Sequence, residues 1–116
     1  MTVGRQQVAM SRAAADAVTI LGIHVRSARH DQHWTVAQLA ARAGVSPRTV
    51  TAIESGSGST SIGNVFTVAV AAGITLFAAD NQRSLAIMRG LEQGRVALLP
   101  SRIRPRADLG DDGLDF

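Results

Sequence analysis

The residues with the most distinctive chemistry lie in the second of two short helical stretches between residues 35 and 56. The positions that a helix beginning at Pro47 presents outward are Arg48, Thr49, Thr51 and Ala52. They contain no apolar stripe, so this face is not expected to pack into a core. A guanidinium pairs with the O6 and N7 atoms of guanine, and methyl groups contact thymine. An exposed helix of this composition therefore favours the major groove of double-stranded DNA.

Other chemistries are poorly supported by the sequence. The chain has no Cys, and all twelve basic residues are Arg. These two facts exclude disulfides, Cys-ligated zinc, thiolate nucleophiles, Schiff-base lysines and Walker-type phosphate loops. His30 and His33 have a spacing seen in metal sites, but no third ligand accompanies them, so we interpret them as surface residues. No paired acid or nucleophile–base set is present. We therefore expect no enzyme activity, no metal and no cofactor.

Charge is unevenly distributed along the 116 residues. Residues 1–107 carry twelve Arg against five carboxylates, a balance of +7, whereas residues 108–116 carry four Asp, a balance of −4. This pattern indicates an anionic partner for the body and a separate role for the tail, although excess charge can also serve solubility alone. No run of 18 apolar residues and no signal-peptide pattern is present, so we expect no membrane association and a cytoplasmic location.

Capping signals predict an all-α fold of five helices. The first covers residues 11–29, and the second covers Val36–Ala43 behind a Thr35–Gln38 capping box and stops at Gly44. Ser46 is predicted to cap the third helix and Ser61 the fourth. The fourth helix has a predicted inward stripe of Ile62, Val65, Phe66 and Ala69 and ends at Gly73. A short strand is predicted at residues 74–77, and Asp80 is predicted to cap a fifth helix extending to about residue 98.

The second and third helices satisfy the requirements of a helix-turn-helix. Ala40 is small where the next helix crosses, Gly44 allows a left-handed turn, and Val50 and Ile53 are placed to dock the third helix. Polar residues at the helix starts and in the Ser/Gly-rich loop 55–61 can approach phosphates; they are Thr35, Ser46, Ser55 and Ser57. The alternative for the loop is a flexible linker. The only Trp, Trp34, is expected to fill the junction between the first two helices.

The segment of about residues 18–79 resembles the Cro/C1-type (XRE) helix-turn-helix regulators. The marks are Arg29, Leu39-Ala40, Gly44-Val45-Ser46 and the Ile53-Glu54-x-Gly56 ending. The resemblance implies a partly buried ion pair between Arg29 and Glu54 that joins the first helix to the recognition helix. One departure is Val36, because many members have a phosphate-binding Gln at the start of the second helix.

A narrower resemblance, to HipB-type antitoxins, extends from His33-Trp34-Thr35 to Ile74-Thr75-Leu76. It implies that the strand is shared between two subunits and that an acidic tail engages a HipA-type kinase toxin, here through Leu114 and Phe116. Together these features predict a homodimeric repressor of a palindromic operator that is also an autoregulating antitoxin. The alternative is a protein-interaction module that does not read DNA.

The predicted organisation has four parts. Residues 1–10 form a flexible arm, and 11–79 form the DNA-binding domain. A dimerisation helix follows at 80–100, and residues 101–116 form a disordered tail that is first basic and then acidic.

Overall fold

Five helices follow one another in the computed structural model, which describes residues 9–106. They are α1 (Arg12–Asp31), α2 (Val36–Ala43), α3 (Pro47–Glu54), α4 (Ile62–Ala72) and α5 (Gln82–Ala97). The predicted all-α class is confirmed, and the described residues contain no strand. Within the same range, no helix is both long and apolar enough to cross a membrane.

The helix starts follow from local hydrogen bonding. The hydroxyls of Ser11, Thr35, Ser46 and Ser61 each accept a hydrogen bond from the backbone N–H three residues later. The predicted cap of α5 is wrong by one residue, because Asn81, and not Asp80, accepts from the Ser84 N–H at 2.9 Å. Asp and Asn are both good caps, so residue type alone does not decide between these two positions.

Helices α1 to α4 enclose one core. Its fully buried large side chains are Val25, Leu39, Val50 and Val68. Val25 comes from α1, Leu39 from α2, Val50 from α3 and Val68 from α4, so every one of the four helices contributes. One face of α3 therefore packs against α1 and α2, and its opposite face remains accessible to a ligand.

The predicted inward face of α4 is only partly correct. Ala69 is buried as expected, but Ile62 is 72% exposed and Phe66 is 36% exposed, and Val68 and Ala72 are buried instead. Apolar residues occur around almost the whole circumference of this helix, so the periodicity does not select one face. Contacts with α1 and α2 decide which face is buried.

The strand predicted at residues 74–77 does not form in the single chain. Phe77 and Ala78 have φ angles of 54° and 61°, and two successive left-handed residues produce a turn rather than extended backbone. The structure divides at this point into two compact units, Met1–Ala78 and Ala79–Phe116. Within the second unit, α5 has no buried residue, and residues 101–106 are exposed and non-helical.

Candidate nucleic-acid interface

The α2–turn–α3 unit has the close packing that a helix-turn-helix requires. Ala40 is 1% exposed, and its carbonyl accepts a hydrogen bond from the Val45 N–H at 3.0 Å, which closes the turn. Gly44 has a φ of 73°, a conformation that side chains other than glycine rarely adopt. Val50 and Ile53 are buried beneath α3. These contacts fix the orientation of α3 relative to α2.

An open cleft runs between the outer face of α3 and the start of α4. Its lining residues are Arg48, Thr49, Ala52, Ser57, Ser59, Thr60, Ser61 and Asn64. Of the residues predicted from sequence to contact DNA, four lie in this lining: Arg48, Thr49, Ala52 and Ser57. Thr51 is exposed on α3 but does not line the cleft. The cleft presents one guanidinium, several hydroxyls, an amide and a methyl group.

Several of the predicted hydroxyls are already engaged within the protein. The Ser46 hydroxyl accepts from the Thr49 N–H at 3.2 Å and lies 3.0 Å from the Thr49 hydroxyl. Ser55 donates to the Ala52 carbonyl at 3.0 Å and does not line the cleft. Thr35 is exposed at the start of α2, where its hydroxyl accepts from the Gln38 N–H. Since a capping hydroxyl uses one lone pair on the helix, Ser46 and Thr35 retain only part of their hydrogen-bonding capacity.

The loop after α3 supplies residues that sequence reasoning missed. Ser59, Thr60 and Asn64 all line the cleft, and the hydroxyls of Ser57 and Ser59 are 2.9 Å apart. Asn64 is the third residue of α4, and its N–H donates to the Ser61 cap. The Ser61 cap predicted from the sequence could have indicated these residues, because a helix that starts after a Ser-rich loop places the polar groups of the loop and of the first helical turn close together.

The electrostatics of α3 favour an anion on its outer face. None of the residues that line the cleft is acidic, and among the ion pairs of residues 9–106 none includes Arg48. The single carboxylate of α3 belongs to Glu54, which is neutralised by Arg29. Helix α3 therefore presents a positive charge to solvent while its negative charge is paired.

The ion pair implied by the resemblance is present and forked. Arg29 donates from Nε to Oε2 of Glu54 at 2.7 Å and from Nη2 to Oε1 at 3.0 Å, and its Nη1 donates to the Trp34 carbonyl at 3.0 Å. Both charged side chains are 10% exposed. The hydrogen bond and the charge of Glu54 raise the pKa of Arg29 above its ordinary value, although burial acts in the opposite direction. Arg29 therefore remains charged, and it links α1, the start of α2 and the end of α3.

Helix α1 approaches α3 closely beside this ion pair, and the sequence analysis did not predict this contact. Gly22 is buried, and a Cβ atom on it would lie 2.4 Å from the Ile53 carbonyl oxygen. Only a glycine permits this separation, because the obstacle is backbone and not a movable side chain. A glycine inside an otherwise helical stretch was the signal in the sequence.

Trp34 is half-buried against the core, as predicted, and the Arg42 guanidinium lies 4.1 Å from its ring centroid. This distance is within the range of a cation–π interaction.

The two His residues with metal-like spacing lie around the end of α1. His30 is in the last turn of this helix, and His33 lies after the helix with a φ of 59°. Across residues 9–106, no three His, Asp or Glu side chains come together as a metal site would require. The predicted tail residues Leu114 and Phe116 lie outside the described residues.

Comparison with known proteins agrees with this geometry. The helix-turn-helix family model matches residues 25–77, just under half of the chain, from the middle of α1 to the turn after α4. No significant match was found among curated proteins or solved structures. The family match supports an XRE-type helix-turn-helix domain, and hence a DNA-binding role in transcription regulation. It does not extend to the HipB-type resemblance, which stays a prediction.

Proposed function

We propose that the protein is a sequence-specific regulator of transcription that inserts the outer face of α3 into the major groove of double-stranded DNA. The observation that carries this proposal is the cleft at α3, whose lining has no carboxylate and whose one guanidinium forms no ion pair with any carboxylate of residues 9–106. Arg48 and Thr51 supply hydrogen-bond donors to base edges, and the methyl group of Ala52 supplies an apolar contact. Ser57 and Ser59 line the same cleft. In this proposal their hydroxyls contact the backbone phosphates that flank the major groove.

The test is duplex binding by the wild-type chain and Arg48→Ala. We expect the substitution to cost about 1–3 kcal/mol, roughly 5- to 150-fold in Kd, at the preferred site and to relax selection at one base position. Arg26→Ala is the matched control, because Arg26 is an exposed Arg on α1 outside the cleft. An equal loss on every sequence would instead identify Arg48 as a phosphate contact.

We further propose that the regulator is a homodimeric repressor on a palindromic operator, with half-sites about 34 Å apart. Exposed apolar side chains support a protein–protein contact. Ile62, Phe66 and Val70 recur every four residues along α4, which has no charged residue, and Phe77 is 67% exposed. The ring centroids of Phe66 and Phe77 are 6.1 Å apart with an edge-to-face angle of 68°.

Val70→Asp tests this surface, since a carboxylate in an apolar interface remains unpaired. We expect light scattering at micromolar concentration to give a dimer for the wild-type chain and a monomer for the variant. Thr67→Asp is the control, because Thr67 is an exposed residue on the same helix outside this apolar row. A wild-type mass of 12.1 kDa would refute the dimer.

The finer proposal is that this repressor is the antitoxin of a HipBA-type toxin–antitoxin module. Its support is the resemblance of residues 33–76 to that subgroup and the four Asp of residues 108–116.

The exposed apolar row on α4 also favours a second candidate function, a protein-interaction module that does not read DNA. Random duplex at low salt separates the two, since a DNA-binding protein binds it and loses affinity as salt rises. Failure to bind any duplex at low salt would favour the interaction module.

A further inference from the structure

Three arginines alternate in a short segment that follows α5. Residues 101–106 read Ser-Arg-Ile-Arg-Pro-Arg, which places guanidiniums at Arg102, Arg104 and Arg106. All six residues are exposed, and Ile103, which lies between the first two arginines, is 88% exposed. Among residues 9–106, neither ion pair includes any of these three arginines. The segment therefore presents three guanidiniums to solvent, each without a counter-charge in the described part of the chain.

The residues before this segment supply few negative charges. Residues 79–106 contain six Arg against Asp80 and Glu92, a balance of +4. Glu92 is already paired with Arg95 at 2.8 Å. No other stretch of five residues in the sequence contains three Arg. Residues 102–106 are thus the most concentrated positive charge of the chain, and an anionic partner is the ligand that such a surface attracts.

The backbone of this segment is suited to follow a line of charges. Pro105 has a fixed φ, and a residue that precedes proline, here Arg104, is restricted to extended or polyproline II backbone. Residues 103–106 accordingly form no helix. In extended backbone, residues two apart are separated by about 6.6 Å. The phosphates of one DNA strand advance about 3.4 Å along the helix axis per nucleotide, so alternating arginines match every second phosphate.

DNA is the anion that the rest of the molecule favours. The α3 cleft is proposed to bind a duplex, and residues 102–106 belong to the same chain. Once α3 is bound, a contact by this segment is intramolecular, and its effective concentration is far above that of a separate ligand. The proline also reduces the number of conformations that the free segment loses on binding.

We propose that Arg102, Arg104 and Arg106 form a second, sequence-independent DNA contact by binding backbone phosphates. This inference rests on the proposed DNA-binding function. It assigns the segment to affinity, whereas α3 supplies the base selectivity. The contact depends on charge and spacing and on no base edge, so it is the same on every duplex sequence.

The test measures binding of the preferred duplex and of random duplex between about 50 and 200 mM salt by the full chain and by a triple variant, Arg102→Ala with Arg104→Ala and Arg106→Ala. Each phosphate contact contributes about 0.9 to the slope of log K against log salt. We expect the triple variant to reduce that slope by about 2.7 on both duplexes. The ratio of wild-type to variant affinity should then decrease by roughly 40-fold across this salt range.

Two matched variants separate a local contact from a general effect of charge. A control triple, Arg26→Ala with Arg83→Ala and Arg89→Ala, removes the same net charge from exposed positions on α1 and α5, and none of these arginines is in an ion pair among residues 9–106. It should change the slope far less than the first triple. Replacement of Arg102, Arg104 and Arg106 by Lys keeps the charge and should retain the wild-type slope. Circular dichroism checks that each variant is folded.

The outcomes distinguish this inference from the role of α3. Binding by the full chain with an unchanged slope in the first triple variant would overturn the second contact and leave the role of α3 intact. An equal change in the control triple, or a Lys variant that behaves like the Ala variant, would also overturn it. A larger loss on the preferred duplex than on random duplex would make the contact base-specific, contrary to the proposal. Absence of duplex binding by the full chain would overturn both proposals.

Anionic lipid is the other polyanion that an exposed basic segment could bind. Vesicles of phosphatidylserine and phosphatidylcholine provide that arm of the test. Capture of the wild-type chain by these vesicles and its loss in the first triple variant, together with unchanged duplex slopes, would reassign the segment to a membrane surface and overturn the DNA contact.

Discussion

Removal of Glu54 is the most direct test of how the recognition helix is held. Glu54→Ala deletes both carboxylate contacts of Arg29 and leaves that guanidinium with one hydrogen bond, to the Trp34 carbonyl. Arg29 stays in a site where its side chain is 10% exposed. Glu54 no longer raises the pKa of Arg29 in this variant, but the ordinary pKa of a guanidinium is so far above neutral that Arg29 cannot relieve the loss by releasing a proton at ordinary pH. The variant therefore contains a buried charge without a counter-charge.

The expected cost follows from burial. Breaking one side of a buried ion pair costs about 3–5 kcal/mol, and the remaining hydrogen bond to Trp34 favours the lower end of that range. In a unit of this size each kcal/mol lowers Tm by about 4–8 °C, so we expect a decrease of at least about 12 °C. This is a large part of the 5–15 kcal/mol that usually stabilises a domain.

The assay is thermal and urea unfolding of wild type, Glu54→Ala and Glu92→Ala. Glu92 forms an ion pair with Arg95 at 2.8 Å, but these side chains are 58% and 78% exposed, so its loss should cost only about 0.3–0.5 kcal/mol. A Glu54→Ala shift no larger than that of Glu92→Ala would refute the structural role of the pair. The double variant Arg29→Met, Glu54→Leu should be more stable than Glu54→Ala, because it leaves no unpaired charge.

Two further predictions concern packing and the tail. Gly22→Ala should lower stability by about 1–3 kcal/mol in urea unfolding, because its methyl group would overlap the Ile53 carbonyl, whereas Gly63→Ala has open space and should be neutral or stabilising. Equal midpoints for the two variants would contradict the close approach of α1 to α3. Deletion of residues 108–116 removes four negative charges and should leave duplex affinity equal or slightly higher. The same deletion, and in part Phe116→Ala, should reduce recovery of a co-encoded kinase-like toxin in a pull-down, and equal recovery would reject the antitoxin role of the tail.

The helix boundaries could be predicted from the sequence alone. Caps such as Ser46 and Ser61, and the left-handed stop at Gly44, are satisfied by groups three or four residues away, so spacing is sufficient to place them. The absence of Cys and Lys from the sequence likewise excluded the chemistry of thiols and of lysine amines. The identity of the outward residues of α3 also followed from sequence, because helical periodicity and two buried positions, Val50 and Ile53, define the opposite face.

Features that depend on distant parts of the chain could not be predicted in this way, because they arise only in the folded protein. Arg29 and Glu54 are 25 residues apart, so the sequence suggested their pairing only through a family resemblance, and the forked geometry came from the fold. Asn64 enters the cleft because α4 packs beside α3, a neighbour that periodicity does not specify. The buried face of α4 likewise depended on which helices surround it, since that helix is apolar on nearly all sides. Hydrogen bonds within a turn are encoded locally, whereas a packing face requires a partner surface, and only the assembled fold supplies one.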